Sequence, residues 1–238
     1  MAGSPLDSLL AELTAAANPV RAASSVWFFK TAKGGYGEGD EFLGVTVPAQ
    51  RKIAFCYRHL PEKALKKLLA SKIHEQRFVA LEILVAQFEA ATPAQKTAIY
   101  RFYLGHTSRV NNWDLVDTSA SYIMGEYLLT RPRAILRKLA KSHNVWERRI
   151  AIVATFAFIR AGETADTFAI AKRLLADEHS LIHKAVGWAL REAGKKSPDQ
   201  LSEFLQANYE HLPRTTLRYA IERFKPAERE RFLTGDFG

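Results

Sequence analysis

The sequence predicts an all-α protein, an α-α superhelix of HEAT-like helix pairs forming a single domain over residues 1–238. Three observations carry that expectation. Apolar residues recur at helical spacing, and no strand-like alternation of any length interrupts them. Pro61, Pro93, Pro132, Pro198, Pro213 and Pro226 each fall where a new helix would start, the position at which a missing N–H is harmless. Finally, one segment recurs: Arg77-Phe78-Val79-Ala80-Leu81, Arg149-Ile150-Ala151-Ile152-Val153, Lys184-Ala185-Val186-Gly187-Trp188 and Arg218-Tyr219-Ala220-Ile221 are spaced by 72, 35 and 34 residues. The first interval is two periods of 36, and its midpoint, 113, falls inside Asn112-Trp113-Asp114-Leu115-Val116-Asp117. A period near 35 with two helices per unit marks an α-solenoid.

Taken in order, Pro5 to Ala17 carries Leu6, Leu9, Leu10 and Leu13 as an amphipathic stripe. Asn18-Pro19 starts a second helix, which brings Trp27, Phe28 and Phe29 ahead of Lys30. Thr31 to Pro48 is the one long break and holds Gly34, Gly35, Gly37, Gly39 and Gly44. A phosphate-loop reading of these glycines fails. The Gly-Lys-Ser/Thr ending and the G-x-G-x-x-G spacing are both missing, and Glu38, Asp40 and Glu41 would repel phosphate. The segment reads instead as an ordered connection between helices. From Pro48 onward helical patterns alternate with short turns.

Composition narrows the partners. A chain of 238 residues with 47% apolar and 11% aromatic residues buries a continuous core and is not disordered. The formal charge of +9 points to an anionic partner, nucleic acid first. The single cysteine, Cys56, excludes an intramolecular disulfide, fits a reducing compartment, and in Ile53-Ala54-Phe55-Cys56-Tyr57 has apolar neighbours that favour an inert thiol. Met1 to Leu13 lacks a secretory pattern, and the longest apolar run, Ile150 to Ile159, is too short to span a bilayer. A soluble, cytosolic protein with no membrane contact is expected.

The repeat also sets a register. Arg77, Arg149, Lys184 and Arg218 are equivalent, Asp114 takes the same place in the intervening unit, and Trp113, Asp117 and Trp188 lie on the same second helices. Trp113 and Asp117, four apart, share a helix face. A concave basic face with a carboxylate and indoles near its middle follows, and such a row can track a phosphate backbone. Between Arg131 and Arg149, seven basic residues (Arg131, Arg133, Arg137, Lys138, Lys141, Arg148, Arg149) meet one acid, Glu147. A solvated face is the ordinary explanation of a charge run; recurrence at the repeat period favours a binding row. His179 and His183 have zinc-helix spacing, but Ser180 stands where a metalloprotease needs Glu, and no further ligands complete a site, so no metal is expected.

The residues also carry a family resemblance. Phe29-Lys30-Thr31, Gly35-Tyr36-Gly37-Glu38-Gly39-Asp40 with Phe42-Leu43-Gly44-Val45, Trp113-Asp114 with Val116-Asp117, Asn144-Val145-Trp146 with Arg148-Arg149, and Lys184 through Glu192 together resemble the AlkD family of DNA alkylation repair proteins, bacterial DNA glycosylases built from HEAT-like repeats. That resemblance implies hydrolysis of the N-glycosidic bond of N3- and N7-alkylated purines in double-stranded DNA. It implies Asp117 as the catalytic carboxylate, Trp113 and Trp188 as indoles flanking the sugar, and Arg149 as a phosphate contact. Lys184, Arg148, Arg191, Lys30 and Arg77 complete the expected DNA contacts. An aromatic position of the family near the end of the second helix, a tyrosine in one member, is Phe28 here. No cofactor is expected, and the protein would act as a monomer in the bacterial cytosol.

The implied chemistry suits few polar groups. A cationic base leaves neutral without a general acid, and the carboxylate stabilises the oxocarbenium-like sugar while placing a water. No lysine is needed as nucleophile, so Lys184 is read as a phosphate contact and the enzyme as monofunctional. The competing expectation is a non-catalytic HEAT module that binds DNA or protein.

Overall fold

The computed structural model describes residues 4–237. Met1, Ala2 and Gly3, which open the stretch read for a targeting signal, lie outside them, as does Gly238. Among the described residues helix follows helix, and the only sheet-like feature is an isolated bridge between Glu41 and Ile73. The all-α expectation therefore holds. The chain divides into two compact units, Met1–Ser119 and Ala120–Gly238.

The N-terminal unit comprises α1 (Pro5–Ala15), α2 (Pro19–Phe28), α3 (Val47–Cys56), α4 (Glu62–Leu69), α5 (His74–Ala90), α6 (Pro93–Gly105) and α7 (Trp113–Ala120), the last residue of α7 passing into the next unit. Helix α1 starts on a reciprocal cap between Ser4 and Asp7, and its stripe places Leu9 and Leu13 in the core. Asn18 caps α2 by accepting from the Arg21 N–H, as its sequence position indicates. Helix α5 is buried nearly all round and packs against α3 and α4. The full burial of Leu65, Leu68 and Leu81 between these helices contributes about 1.5–3 kcal/mol per side chain.

The glycine-containing connection is ordered, as expected, and a single carboxylate explains why. Glu75 accepts from the backbone N–H groups of Leu43, Gly44 and Val45 at 3.0, 2.7 and 3.3 Å. Gly44 has φ +78°, and an added Cβ would lie 2.2 Å from the Asn18 carbonyl oxygen, so the start of α2 docks directly on the loop backbone. Cys56 departs from its sequence reading: it is exposed. The inward stripe of α3 is Gln50, Ile53 and Ala54, which leaves position 56 off the core face.

The C-terminal unit opens with a π-helical turn, Ser121–Gly125, and continues through α8 (Glu126–Leu128), α9 (Ala134–Leu139), α10 (Val145–Ala154), α11 (Phe156–Arg160), α12 (Ala165–Leu174), α13 (Ser180–Gly194), α14 (Pro198–Ala207), α15 (Arg214–Ala220) and α16 (Pro226–Thr234). Helix α13 is its centre and packs on α10, α12, α14 and α15. The pairs α4/α5, α6/α7, α9/α10, α12/α13 and α14/α15 put Arg77, Trp113, Arg149, Lys184 and Arg218 each on a second helix, as the repeat required.

Candidate functional site

Helix α7 begins at a buried asparagine. Asn112 has no exposed surface, its side-chain oxygen accepts from the Trp113 N–H at 2.9 Å, and its carbonyl accepts from Val116 at 3.1 Å. The inward face of α7 carries Leu115, Val116 and Ser119. Ser119 donates to the Leu115 carbonyl at 2.6 Å and pairs with the Tyr103 hydroxyl at 3.0 Å, so α7 is fastened to α6. Thr118 donates to Glu82 of α5 at 2.5 Å. Trp113 and Asp117, one turn apart, remain partly exposed on the other face. Burial raises the Tyr103 phenol well above its ordinary pKa, the Ser119 hydrogen bond opposes this, and the negative charge of Asp117 raises it further. Asp117 thus lies close enough to act electrostatically on a buried, neutral phenol.

Behind Trp113 is a stack of rings around a buried histidine. Trp113 stacks on Phe29 at 5.6 Å between centroids and meets Phe28 edge-on at 5.9 Å. Phe29 stacks in turn on Phe42 at 4.9 Å, and the His74 ring sits 4.8 Å from both phenylalanines. The two ring nitrogens of His74 bond to different carboxylates, Nδ1 to Asp40 at 3.1 Å and Nε2 to Asp114 at 2.7 Å. Asp40 also pairs with the Arg77 guanidinium at 2.6 Å and accepts from Asn112 at 3.3 Å. Burial would depress the His74 pKa, but the Asp114 carboxylate and the hydrogen bonds to Asp114 and Asp40 outweigh it and hold the imidazolium up to about 9. Burial would likewise raise Asp40; the His74 bond, then the Arg77 and His74 charges and the Asn112 bond, keep it below the usual carboxylate range.

In the C-terminal unit Trp188 is half-buried on α13 with its indole 4.3 Å from the Phe156 ring. The basic residues there are more engaged than their spacing implied. Arg149 is only 5% exposed and donates to the Leu181 carbonyl at 2.8 Å, bracing α10 against the start of α13. Arg148 bonds the Asp177 carboxylate at 2.5 Å and the Ser142 and His143 carbonyls at 2.9 and 3.0 Å. Arg191 pairs with Glu192 and Glu222. Lys184 is exposed on α13. His179 caps α13 by accepting from Leu181, and His183 donates to the Asp177 carbonyl.

A model of the family described as DNA alkylation repair enzyme matches residues 9–224. The chain belongs to that family. Its role is accordingly enzymatic repair of alkylated DNA. A solved structure from Enterococcus faecalis, described as a predicted DNA alkylation repair enzyme, is similar in fold with a TM-score of 0.70 at 18% identity, over 88% of this chain and 97% of that one. A search of curated proteins finds no match. Among the described residues no helix is long and apolar enough to cross a membrane, and no cluster of His, Cys, Asp and Glu could hold a metal ion.

Two positions of the repeat register turn inward in this member of the family. Arg77, placed in the DNA-facing row by its repeat position, is 2% exposed and is held by Asp40 and by the Ser71 and Lys72 carbonyls. Asp114, its counterpart in the next pair, also points inward, to His74. Lys30 is exposed with φ +51°, a left-handed backbone at the end of α2 whose carbonyl accepts from Gly37. The sequence reading missed His74 altogether. The only local signal was that His74 and Arg77 are three apart on one helix face; nothing in the sequence singles out Asp40 from Glu38 and Glu41 as their partner.

Proposed function

We propose that this family member is a monofunctional DNA glycosylase that hydrolyses the N-glycosidic bond of positively charged N3- and N7-alkylpurines in duplex DNA. One observation carries the reading: Trp113 and Asp117, an indole and a carboxylate one turn apart, share a partly exposed face of α7. An indole beside a carboxylate suits a cation. The alkylated base already bears positive charge, so it departs neutral and charge passes to the sugar. Asp117 stabilises that sugar cation and holds the water that attacks it. Trp113, and Trp188 by the family resemblance, add indole faces worth roughly 0.5–2 kcal/mol each toward a cation. No lysine amine is required, and Lys184, exposed on α13, is assigned to a phosphate together with Lys30.

The test is release of free base from duplexes carrying N7-methylguanine, a bulky N7 adduct, or uracil. Both alkylpurines should be released and uracil should not, because an uncharged base needs an acid that this mechanism lacks. Uracil release at a comparable rate, or full activity in Asp117→Asn, would overturn the mechanism. A protein that binds DNA with equal affinity before and after Asp117→Asn and releases no base is the non-catalytic module instead.

A further inference from the structure

We propose that His74, clamped between Asp40 and Asp114, is a positioning residue that fixes the first turn of α7 and thereby the placement of Trp113 and Asp117. The inference rests on the glycosylase reading only for its catalytic consequence; the geometry stands without it.

The clamp reaches the first turn of α7 by two routes. One is polar. The Nε2–H of His74 donates to Asp114, the second residue of α7, and Asp40, on the other side of the ring, accepts from Asn112, which caps the same helix. The second route is through rings: His74 lies against Phe29, and Phe29 is stacked under Trp113. A shift of the imidazole therefore moves both the backbone that carries Trp113 and the surface on which its indole rests. Asp117 follows, because it is one turn along the same rigid helix.

The composition of the clamp argues against a purely structural role. Four ionisable groups face one another from three elements: Asp40 from the loop, His74 and Arg77 from α5, and Asp114 from α7, with neutral Asn112 beside them. Glu75, next to His74, is turned away to the loop N–H groups and does not join them. Desolvating such a set gives little stability over an apolar filling of the same volume. What it gives is direction. Charge-assisted hydrogen bonds on both ring nitrogens set the plane of the imidazole, as a methyl group could not. Stacking of the imidazolium on Phe42, with Phe29 tilted against it, holds the remaining degree of freedom. A carboxylate that must sit within hydrogen-bond reach of a water and a developing sugar cation gains from such fixation, since a misplacement of about 1 Å can cost on the order of a hundredfold in rate.

The experiment compares wild type, His74→Gln, Asp114→Asn, and a control that loses core stability elsewhere in the same unit, Leu13→Ala. Each is assayed well below its melting temperature for single-turnover release of N7-methylguanine at saturating enzyme, and for the Kd of duplex DNA. In parallel, acrylamide quenching of Trp113 is measured in a background where Trp27, Trp146 and Trp188 are phenylalanine. His74→Gln should lower the saturating rate at least tenfold, leave the Kd within about twofold, and make Trp113 more quenchable. Asp114→Asn keeps an acceptor for Nε2–H and should recover most of both. Leu13→Ala should change neither. The proposal is overturned if His74→Gln weakens DNA binding at an unchanged saturating rate, if Leu13→Ala reproduces its effects, or if Trp113 quenching does not respond. Absence of base release by the wild type overturns the glycosylase reading alone, and the quenching result then decides the positioning claim.

Discussion

Asp117 acts, on this reading, through its charge, and the substitution that removes the charge while keeping the shape isolates that role. Asp117→Asn should lower the single-turnover rate of N7-methylguanine release by about a hundredfold or more, the usual loss when one electrostatic stabiliser is removed. Trp113→Ala should cost about tenfold, corresponding to roughly 1.4 kcal/mol of cation–π energy, and a larger loss than for Asp117→Asn would reverse the assigned ranking. His74 is a second charge with a separate signature. Its folded pKa, about 9, lies above the ordinary 6.5, so the protonated form is the one the fold stabilises. That contribution is complete below pH 6.5 and is lost as pH rises through about 9. Urea midpoints measured from pH 6 to pH 10 should fall for the wild type by an amount on the order of 3 kcal/mol in unfolding free energy, and His74→Gln should flatten that limb. Asp40 has the opposite sign: its depressed pKa stabilises the fold above the ordinary carboxylate range and is lost on acidification below it.

At the scale of elements, two glycines separate close packing from mere permission. An added Cβ on Gly187 would fall 2.5 Å from the Tyr219 Cβ and 2.6 Å from the Thr216 carbonyl oxygen, so α13 and α15 touch through a missing side chain. Gly105, at the end of α6, meets nothing within 4 Å. Gly187→Ala should therefore destabilise the protein by about 1–3 kcal/mol, whereas Gly105→Ala should be neutral or stabilising by up to about 1 kcal/mol; thermal melts of the two variants check the contrast. Element positions were legible in the sequence because their signals are local. Asn18 and the prolines mark helix starts within a residue or two, and the recurring Arg/Lys-apolar segment marks the second helix of each pair. The family likeness carried by Trp113-Asp114 and the glycine-containing loop was legible too. Burial of Arg77 and Arg149 within the basic row was not. A repeat register says where a residue sits on its helix, but Arg77 is covered by Asp40 from a loop 37 residues earlier, and Arg148 by Asp177, 29 residues later. No spacing rule encodes which acid folds over which arginine. The same long-range pairing hid His74, whose partners Asp40 and Asp114 lie 34 and 40 residues away on either side.

For the whole molecule the question is how much of a formal charge of +9 is offered to a phosphate backbone. Counting cations from the sequence overstates it. Arg77 and Arg148 are held by carboxylates and backbone carbonyls, and Arg133 and Arg191 by two carboxylates each. Exposed Lys30 and Lys184 have no such ties to give up before meeting DNA. Counterion release distinguishes the two kinds, because only a cation that neutralises a phosphate adds to the salt dependence of binding. Lys184→Ala should weaken duplex binding across all sequences and lower the slope of log K against log salt by about one. Arg77→Ala should leave that slope unchanged while destabilising the fold by about 3–5 kcal/mol, since Asp40 would be left buried beside one cation fewer. If that loss unfolds the chain, Arg148→Gln makes the same comparison from a half-buried position, again with an unchanged slope. A reduced slope in a folded Arg77 or Arg148 variant would mean that these guanidiniums leave their carboxylates for DNA, and the basic row expected from the repeat would then be recovered in the complex.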